Sequence, residues 1–497
     1  MSEKQNSYRQ IMKATSLFGG VQLFTIIIAI IRAKFIAILL GPAGMGIAGL
    51  LNSTTGLITS LTNFGLGTSA VKNVAAANGS GNESRIAVIT TIVKRWVWVT
   101  GLLGMIITIV IAPLLSRLTF GNSDYTFSFI AISVSLLLTQ LSSGQMIILQ
   151  GMRKLQYLAK ASLTGSVLGL LLTMPLYFWL GIEGIVPAII VTSLITFFGA
   201  LYFSGKIKLE KVKVSKARTV AEGKEMLTMG FMISISGMIA LGVSYIVQIF
   251  ISRTGGVAQV GLYNSGFSII NTYVAMVFTA MATDYYPRLA ANAHDNQLSR
   301  ETINQQAEIA LLILAPIIMV FLIFIRLVII ILYTDKFLEI DEMIHWAILG
   351  VFFKAASWSI AFIFLAKGAS KLFFWNELFA CIYLLILNIL GYKYGGLSGL
   401  GISFIAGYFF YLLQVFFIAK RNYEFALNKE FYYIFCVQFF LCVVCFLIVK
   451  LLESPWSYLM GSLMLVVSVA FSFIQLNKRI GISGLLKGMF NKKFKKK

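Results

Sequence analysis

The chain has 497 residues, of which 58% are hydrophobic and only 12% charged, and its mean hydropathy is +0.85. A soluble protein this apolar would lack the polar skin to cover its core, which excludes a cytosolic enzyme and a secreted globular domain. The net charge of +22, from 41 Lys+Arg against 19 Asp+Glu, would suggest nucleic acid in a soluble chain, but in a membrane chain the position of the charges matters more than their sum.

A bilayer-spanning helix needs about 20 apolar residues. Long apolar runs without alternation predict fourteen such helices, near 14–40, 45–67, 88–112, 127–150, 158–180, 184–204, 226–252, 262–284, 306–333, 343–366, 372–392, 397–419, 431–450 and 455–476. Runs of this kind are helices and not barrel strands. The expected class is an all-α polytopic membrane protein. Residues 1–13 are polar and basic, and the apolar run that follows is too long for a signal h-region, so no cleaved leader is expected.

The loops orient the chain. With the N-terminus in the cytoplasm, the inner segments carry 32 of the 41 cations, a strong positive-inside asymmetry that also requires an even number of crossings. Both termini are then cytoplasmic, and the basic balance reads as topology and attraction to an anionic leaflet, with no nucleic acid as partner. The loop at 205–225 carries seven of these cations and divides the first twelve helices into lobes at 1–204 and 226–420. Helices thirteen and fourteen follow within 421–476, then a basic tail at 477–497. An internal repeat supports the division: Gly44–Ser53 matches Gly256–Ser265 at an offset of 212, with identities at Gly44/Gly256, Gly49/Gly261, Leu50/Leu262, Asn52/Asn264 and Ser53/Ser265. Parallel repeats of this kind are characteristic of alternating-access transporters.

The informative residues are charges inside apolar runs, each costing about 2.5–3.5 kcal/mol at a helix centre on insertion scales. Lys354 lies about 16 Å into the tenth predicted helix, near the midplane. Arg32 and Lys34 lie in the outer half of the first, and Arg326 in the outer part of the ninth. The acids Glu183, Asp284, Glu308 and Glu377 sit near helix ends, so no carboxylate is expected at comparable depth beside these cations. Unmatched cations imply an anionic visitor, and phosphate is the candidate because Arg and Lys bind it through charge-assisted hydrogen bonds. Snorkelling to the interface is the plain alternative for Lys34 and Arg326. Asn52, Asn63, Gln145, Gln248 and Asn264 are candidates to line a wet cavity and meet sugar hydroxyls, although such residues more often join helices to one another. The aromatic stretch at 407–417 reads as lipid-facing packing.

Enzymatic constellations do not appear. The two histidines are far apart, the four cysteines lie in apolar stretches, and no metal site, disulfide framework or cofactor is expected. No Walker loop is present. A deep acid on the first helix, which would suggest ion coupling, is also missing, so the energy source stays open.

Several segments are familiar in order and spacing: LLGPAGMGIAG (39–49), FGNSDY (120–125), QGMRKLQYLAKAS (150–162), YTDKF (333–337) followed by Lys354, and AKGASKLFFWNELF (366–379). Across roughly residues 10–420 the chain resembles the Wzx family, the O-antigen and enterobacterial common antigen flippases of the wider superfamily that holds the MATE exporters and the lipid II flippase. The resemblance implies two six-helix lobes in a MATE-like V around a cationic cavity. It implies transfer of an undecaprenyl-diphosphate-linked oligosaccharide from the inner to the outer leaflet of the bacterial cytoplasmic membrane. Membrane lipids, a polysaccharide polymerase and a chain-length regulator are the implied partners. The family's intramembrane basic residues match Lys34, Arg326 and Lys354; Arg32 is added from the residues alone. Helices thirteen and fourteen depart from the twelve-helix pattern; in the lipid II flippase such a pair forms a groove for the lipid tail. The alternatives are a MATE-like small-molecule exporter, a lipid II flippase and, from another class, a membrane-embedded polysaccharide polymerase, which the short outer loops disfavour.

Overall fold

The computed structural model describes residues 3–207, 209–210 and 212–480. Lys208 and Lys211 of the basic loop, and the basic tail from residue 481, lie outside the described residues. Every regular element among the described residues is helical: α1 (Glu3–Asn63), α2 (Leu66–Gly79), α3 (Glu83–Phe120), α4 (Thr126–Gly151), α5 (Leu155–Leu180), α6 (Ile185–Gly205), α7 (Lys216–Gly255), α8 (Val257–Ser268), α9 (Ala275–Ala291), α10 (Asn296–Leu332), α11 (Asp341–Ala366), α12 (Ser370–Tyr423), α13 (Lys429–Leu451) and α14 (Trp456–Ile480).

Ten described stretches are long and apolar enough to cross a bilayer, and α8 with α9 adds a bent one. Three of the ten, Phe24–Asn63, Leu155–Gly205 and Ser370–Tyr423, run for 40, 51 and 54 residues, about twice what one crossing needs. Each is broken by a glycine at positive φ: Gly41 (63°), Gly181 (57°) and Gly396 (56°). Only glycine adopts that conformation without strain. Pro42 follows Gly41 directly, where its missing N–H costs nothing at the start of a new helix. The breaks fall in the gaps the sequence predicts at 41–44, 181–183 and 393–396. Two passages in each double-length stretch, together with the bent pair, bring ten crossings to the expected fourteen. The fold is therefore an all-α, multi-pass membrane architecture. Local signals set the other ends. Asn82 caps α3 by accepting from the Arg85 amide at 3.0 Å, and Gly121 closes it at φ 90°. Ser215 caps α7 by accepting from the Arg218 amide at 3.3 Å.

The described helices group into two units. Unit 1 comprises the chain up to Leu262 with Leu332–Lys336; unit 2 comprises Tyr263–Ile331 and the chain from Phe337 onward.

In unit 1 the broken helices meet at their glycines. Gly41 (φ 63°, ψ −167°) and Gly256 (φ 87°, ψ 169°) share one unusual conformation. Gly46 and Gly261 each follow five residues later. A Cβ on Gly46 would overlap the Val257 carbonyl oxygen, and one on Gly261 would overlap that of Pro42. The contact is reciprocal, and the correspondence it marks has an offset of 215 (256 less 41) and not the 212 of the sequence match. The identities at 212 sit one helical turn out of register with the backbone.

Unit 1 also takes up the linker. Arg95 of α3 donates to the Val214 carbonyl at 2.9 Å and to Thr219 Oγ1 at 2.7 Å. Trp96 Nε1 donates to the Thr219 carbonyl at 2.9 Å, and Gly223 lies against the indole with no room for a side chain. Glu222 accepts from Arg85 at 2.9 Å and from Arg218 at 2.8 Å. Burial pushes its carboxyl up, but the bonds from Arg85 and Arg218 outweigh that and hold it below the ordinary carboxylate range.

In unit 2, α13 and α14 are part of the packed core and not an appendage. Phe431, Ile434, Cys442, Cys445 and Phe446 join the cluster formed by α10 and α11. Fully buried Gln438 donates to Ser472 Oγ at 2.8 Å and accepts from Ser468 Oγ at 2.7 Å. Arg479, near the end of α14, binds Glu308 of α10 at 2.7 Å and Glu430 of α13 at 3.3 Å.

Two outcomes follow from this packing. Gly46→Val and Gly261→Val are expected to abolish accumulation of folded protein, whereas Gly56→Ala and Gly237→Ala, where a Cβ meets nothing, leave it unchanged; size-exclusion profiles and melting curves of the detergent-purified variants decide. Glu222→Gln and Arg95→Ala are expected to raise trypsin cleavage at Lys213 and Lys216 several-fold at pH 7. Because the folded Glu222 carboxyl lies below its unfolded value, its contribution is full above the ordinary carboxylate pKa. It is lost as pH falls through the folded value, so protection of the wild-type linker amides, exchange rates divided by the intrinsic rate at each pH, should fall only in acid; protection lost towards alkaline pH would contradict this.

Candidate functional site

The four intramembrane cations each meet a different solution to the same problem, the cost of a charge away from water. Lys354 lies in the middle of α11, half-buried. Its Nζ stands 5.2 Å from the ring centroid of Tyr408 and 5.7 Å from that of Phe404, two residues one turn apart on α12. Ring faces stabilise an ammonium by about 0.5–2 kcal/mol without neutralising it. Among the described residues no carboxylate pairs with Lys354, so its charge stays available. Tyr411, three residues on, packs edge to face on Tyr408 at 6.3 Å between centroids; its hydroxyl donates to Glu377 at 2.5 Å, and Asn376 donates to that oxygen at 3.1 Å. Gln414 holds Asn376 at 2.9 Å. The stretch 407–417 is thus not only lipid-facing packing: Tyr408, with Phe404 one turn before it, walls Lys354.

Arg32 is half-buried on α1, with its guanidinium in a notch made by the missing side chain of Gly169 on α5. A Cβ there would stand 2.8 Å from Nη2. Tyr177 is its electrostatic neighbour. The buried Nε has no hydrogen-bond partner, and such an orphaned donor costs about 1–3 kcal/mol. Lys34, half a turn on, donates to the Tyr333 carbonyl.

Arg326 corrects one expectation. Its Nε lies 3.5 Å from Asp341 Oδ2, so a carboxylate does stand beside it. The sequence places Asp341 in the short connection after the ninth predicted helix, and the turn Asp335–Ile340 folds it back onto α10. The Arg326 side chain remains 65% exposed.

The candidate sugar contacts divide. Asn63 Oδ1 accepts from the Leu66 amide at 3.0 Å and so caps α2. Gln248, buried, accepts from Ser53 Oγ at 2.9 Å and joins α7 to α1. Gln145 accepts from Ser204 Oγ at 2.8 Å and lines a polar cavity of about 310 Å³ in unit 1 with Thr90, Thr91, Lys94 and Glu210. Lys94 belongs to this cavity and was not singled out from the sequence. Asn52 is exposed on α1 and Asn264 half-buried on α8. The arrangement offers cations with unspent charge, hydroxyl and amide groups, and no cluster of His, Cys, Asp or Glu that would hold a metal among the described residues.

Known structures share this fold. The lipid II flippase MurJ in its inward closed conformation superposes with a TM-score of 0.69 at 14% identity, covering 93% of this chain and 99% of its own. An inward-facing multidrug resistance MATE family transporter of the MOP superfamily gives 0.66 at 14% identity, with 80% and 94% covered. The architecture is thus that of the MATE-like transporters. The Lipid III flippases of Escherichia coli (strain K12) and Shigella flexneri are 22% identical over 353 residues, 69% of this chain and 82% of theirs. The family described as polysaccharide biosynthesis protein matches residues 35–342, well over half of the chain, and the chain belongs to that family.

Proposed function

We propose that the protein is a lipid-linked oligosaccharide flippase of a bacterial cytoplasmic membrane. Its substrate is an undecaprenyl-diphosphate-linked oligosaccharide, moved from the cytoplasmic to the periplasmic leaflet by alternating access. The observation that carries this reading is Lys354: a cation deep in the apolar layer, walled by two rings and spared a carboxylate. Such a residue leaves a full charge for a diphosphate, which it meets through charge-assisted hydrogen bonds. Arg32, with an unsatisfied Nε–H, supports the same reading from unit 1, as do the Lipid III flippases among its relatives. Lys34 in unit 1 and Arg326 in unit 2 are further candidates for diphosphate contact, although each already holds a partner, the Tyr333 carbonyl and Asp341, with which an anion would compete. An exporter of cationic drugs fits less well, because unpaired cations repel such cargo.

Lys354→Ala is expected to lower export by about 10- to 100-fold, the worth of a hydrogen bond to a charged group, with the protein inserted at normal levels and complete lipid-linked units trapped on the cytoplasmic face. Tyr408→Leu should cost less, about 2- to 30-fold, the range of one cation–π contact. Mass spectrometry of polyprenyl-linked glycans, with sidedness read by an external glycan-modifying enzyme, measures both; normal export in Lys354→Ala removes this residue from the mechanism. Gly169→Ala is expected to fold, because only the end of a flexible side chain must move, and yet to reduce export as Arg32→Ala does. A normal rate in Gly169→Ala alongside a loss in Arg32→Ala would show that the notch does not position the guanidinium.

A further inference from the structure

Within unit 1, α5 and α6 form a helical hairpin that turns at Gly181. Small residues let its arms close up: Gly165 faces Thr196, and Gly199 lies opposite the Ala161 carbonyl oxygen. An open groove of about 530 Å³ runs along the hairpin, walled by Leu168 of α5 and by Val191, Ile195 and Phe198 of α6, and its lining is almost wholly apolar. Phe198 and Tyr202 are 60% and 63% exposed, so the groove opens away from the protein, which in a membrane means towards lipid. From Val191 to Phe203 it runs for about 18 Å at 1.5 Å per residue. That is a little more than half of a hydrocarbon core about 30 Å thick, the depth of one leaflet.

One end of the groove is cationic. Lys206 follows Tyr202 by one turn, and its Nζ stands 4.4 Å from the Tyr202 ring centroid and 5.6 Å from that of Phe203; both rings line the groove. On α5, Lys160 precedes the lining residues Thr164 and Leu168 by one and two turns, which puts it on their face of the helix. Tyr157 of α5 stacks on Phe203 at 6.4 Å between centroids and brings the two helix ends together. Both lysines are exposed, and among the described residues neither pairs with a carboxylate. Between Tyr125 and Leu209 the only acid of the chain is Glu183, in the turn at the opposite end of the hairpin. The basic linker begins directly after Lys206, so the loop charges put the cationic end at the inner surface.

We propose that this groove is a loading site in the inner leaflet, where the polyprenyl chain of the substrate lies along α5 and α6 and its diphosphate rests between Lys160 and Lys206. A single groove between two helices takes one hydrocarbon chain, and two unpaired ammonium groups suit two phosphates. A diacyl phospholipid has two chains and one phosphate; a polyprenyl diphosphate has one chain and two phosphates. This loading step rests on the flippase reading and gives it the place where the lipid is first held.

Native mass spectrometry of the full-length protein, incubated in mild detergent with undecaprenyl diphosphate or with phosphatidylglycerol, reads the lipid retained. The wild type is expected to retain the diphosphate about tenfold better, the worth of one more charge-assisted hydrogen bond. Lys206→Gln and Lys160→Gln should each remove about that factor. Gly199→Leu, which fills the groove, should lower retention as far, and export should fall in step. A Cβ at Gly199 meets only the Ala161 carbonyl oxygen, at 3.8 Å, so this variant is expected to fold; if its size-exclusion profile shows otherwise, the variants at the two exposed lysines decide. Retention in all three variants equal to that of the wild type overturns the groove and leaves the flippase reading standing. An equal loss of both lipids makes the groove a general phospholipid site and overturns the assignment to a polyprenyl chain. Normal export by a variant that has lost retention takes the groove off the transport path. A wild type that holds no more diphosphate than phosphatidylglycerol counts against the flippase reading itself, and the loading site falls with it.

Discussion

A charge away from water must be met by something, and what meets it decides what it can still do. Four cations inside apolar helices face this constraint, and the structure answers with four kinds of neighbour. Arg326 has a carboxylate, Lys34 a backbone carbonyl, Lys354 two aromatic rings, and Arg32 a glycine notch beside a tyrosine. A carboxylate neutralises; a carbonyl satisfies one donor; a ring face stabilises an ammonium while leaving its charge intact. By this ordering Lys354 keeps the most for a ligand and Arg326 the least.

The backbone obeys a parallel constraint. In lipid every peptide group must find its partner within the protein, so long helices are the default and breaks need a reason. Here the reasons are glycines at positive φ and, at Gly41, a proline immediately after. The same residue type permits the closest approach in unit 1, where Gly46 and Gly261 each sit on the other segment's carbonyl. Glycine thus does two distinct jobs within six residues: Gly41 turns the chain and Gly46 lets another backbone in. Small residues at such crossings are how membrane helices gain contact without a hydrophobic driving force.

Much of the fold was legible in the sequence because bilayer thickness converts directly into the length of an apolar run. The gaps at 41–44 and 393–396 coincide with the broken backbone at Gly41 and Gly396 for that reason. The repeat was legible but its register was not: the five identities at offset 212 outnumber the Gly-x-Ala-x-x-Gly that 41–46 and 256–261 share at 215, and it is the latter that marks the backbone match. The depth of Lys354 was legible; its ring wall was not, since Phe404 and Tyr408 in an aromatic-rich helix look the same whether they face lipid or a lysine. Asp341 was invisible as a partner of Arg326 because a connection of nine residues gives no direction. Asn63 illustrates the reverse error: a polar residue in an apolar stretch suggests a wet cavity, yet its oxygen caps α2.

A transporter of a diphosphate has to bind an anion and then let it go. Full pairing with carboxylates would leave nothing to bind, and bare cations would hold too tightly and cost too much to bury. Rings lie between these limits. They lower the cost of the empty site by a kcal/mol or two and give back only that much when the anion arrives. Lys354 has this intermediate kind of neighbour, whereas Arg326 has the neutralising kind. On this account the two cations of unit 2 are unequal: Lys354 is met only by rings, whereas Arg326 already has the Asp341 carboxylate beside it.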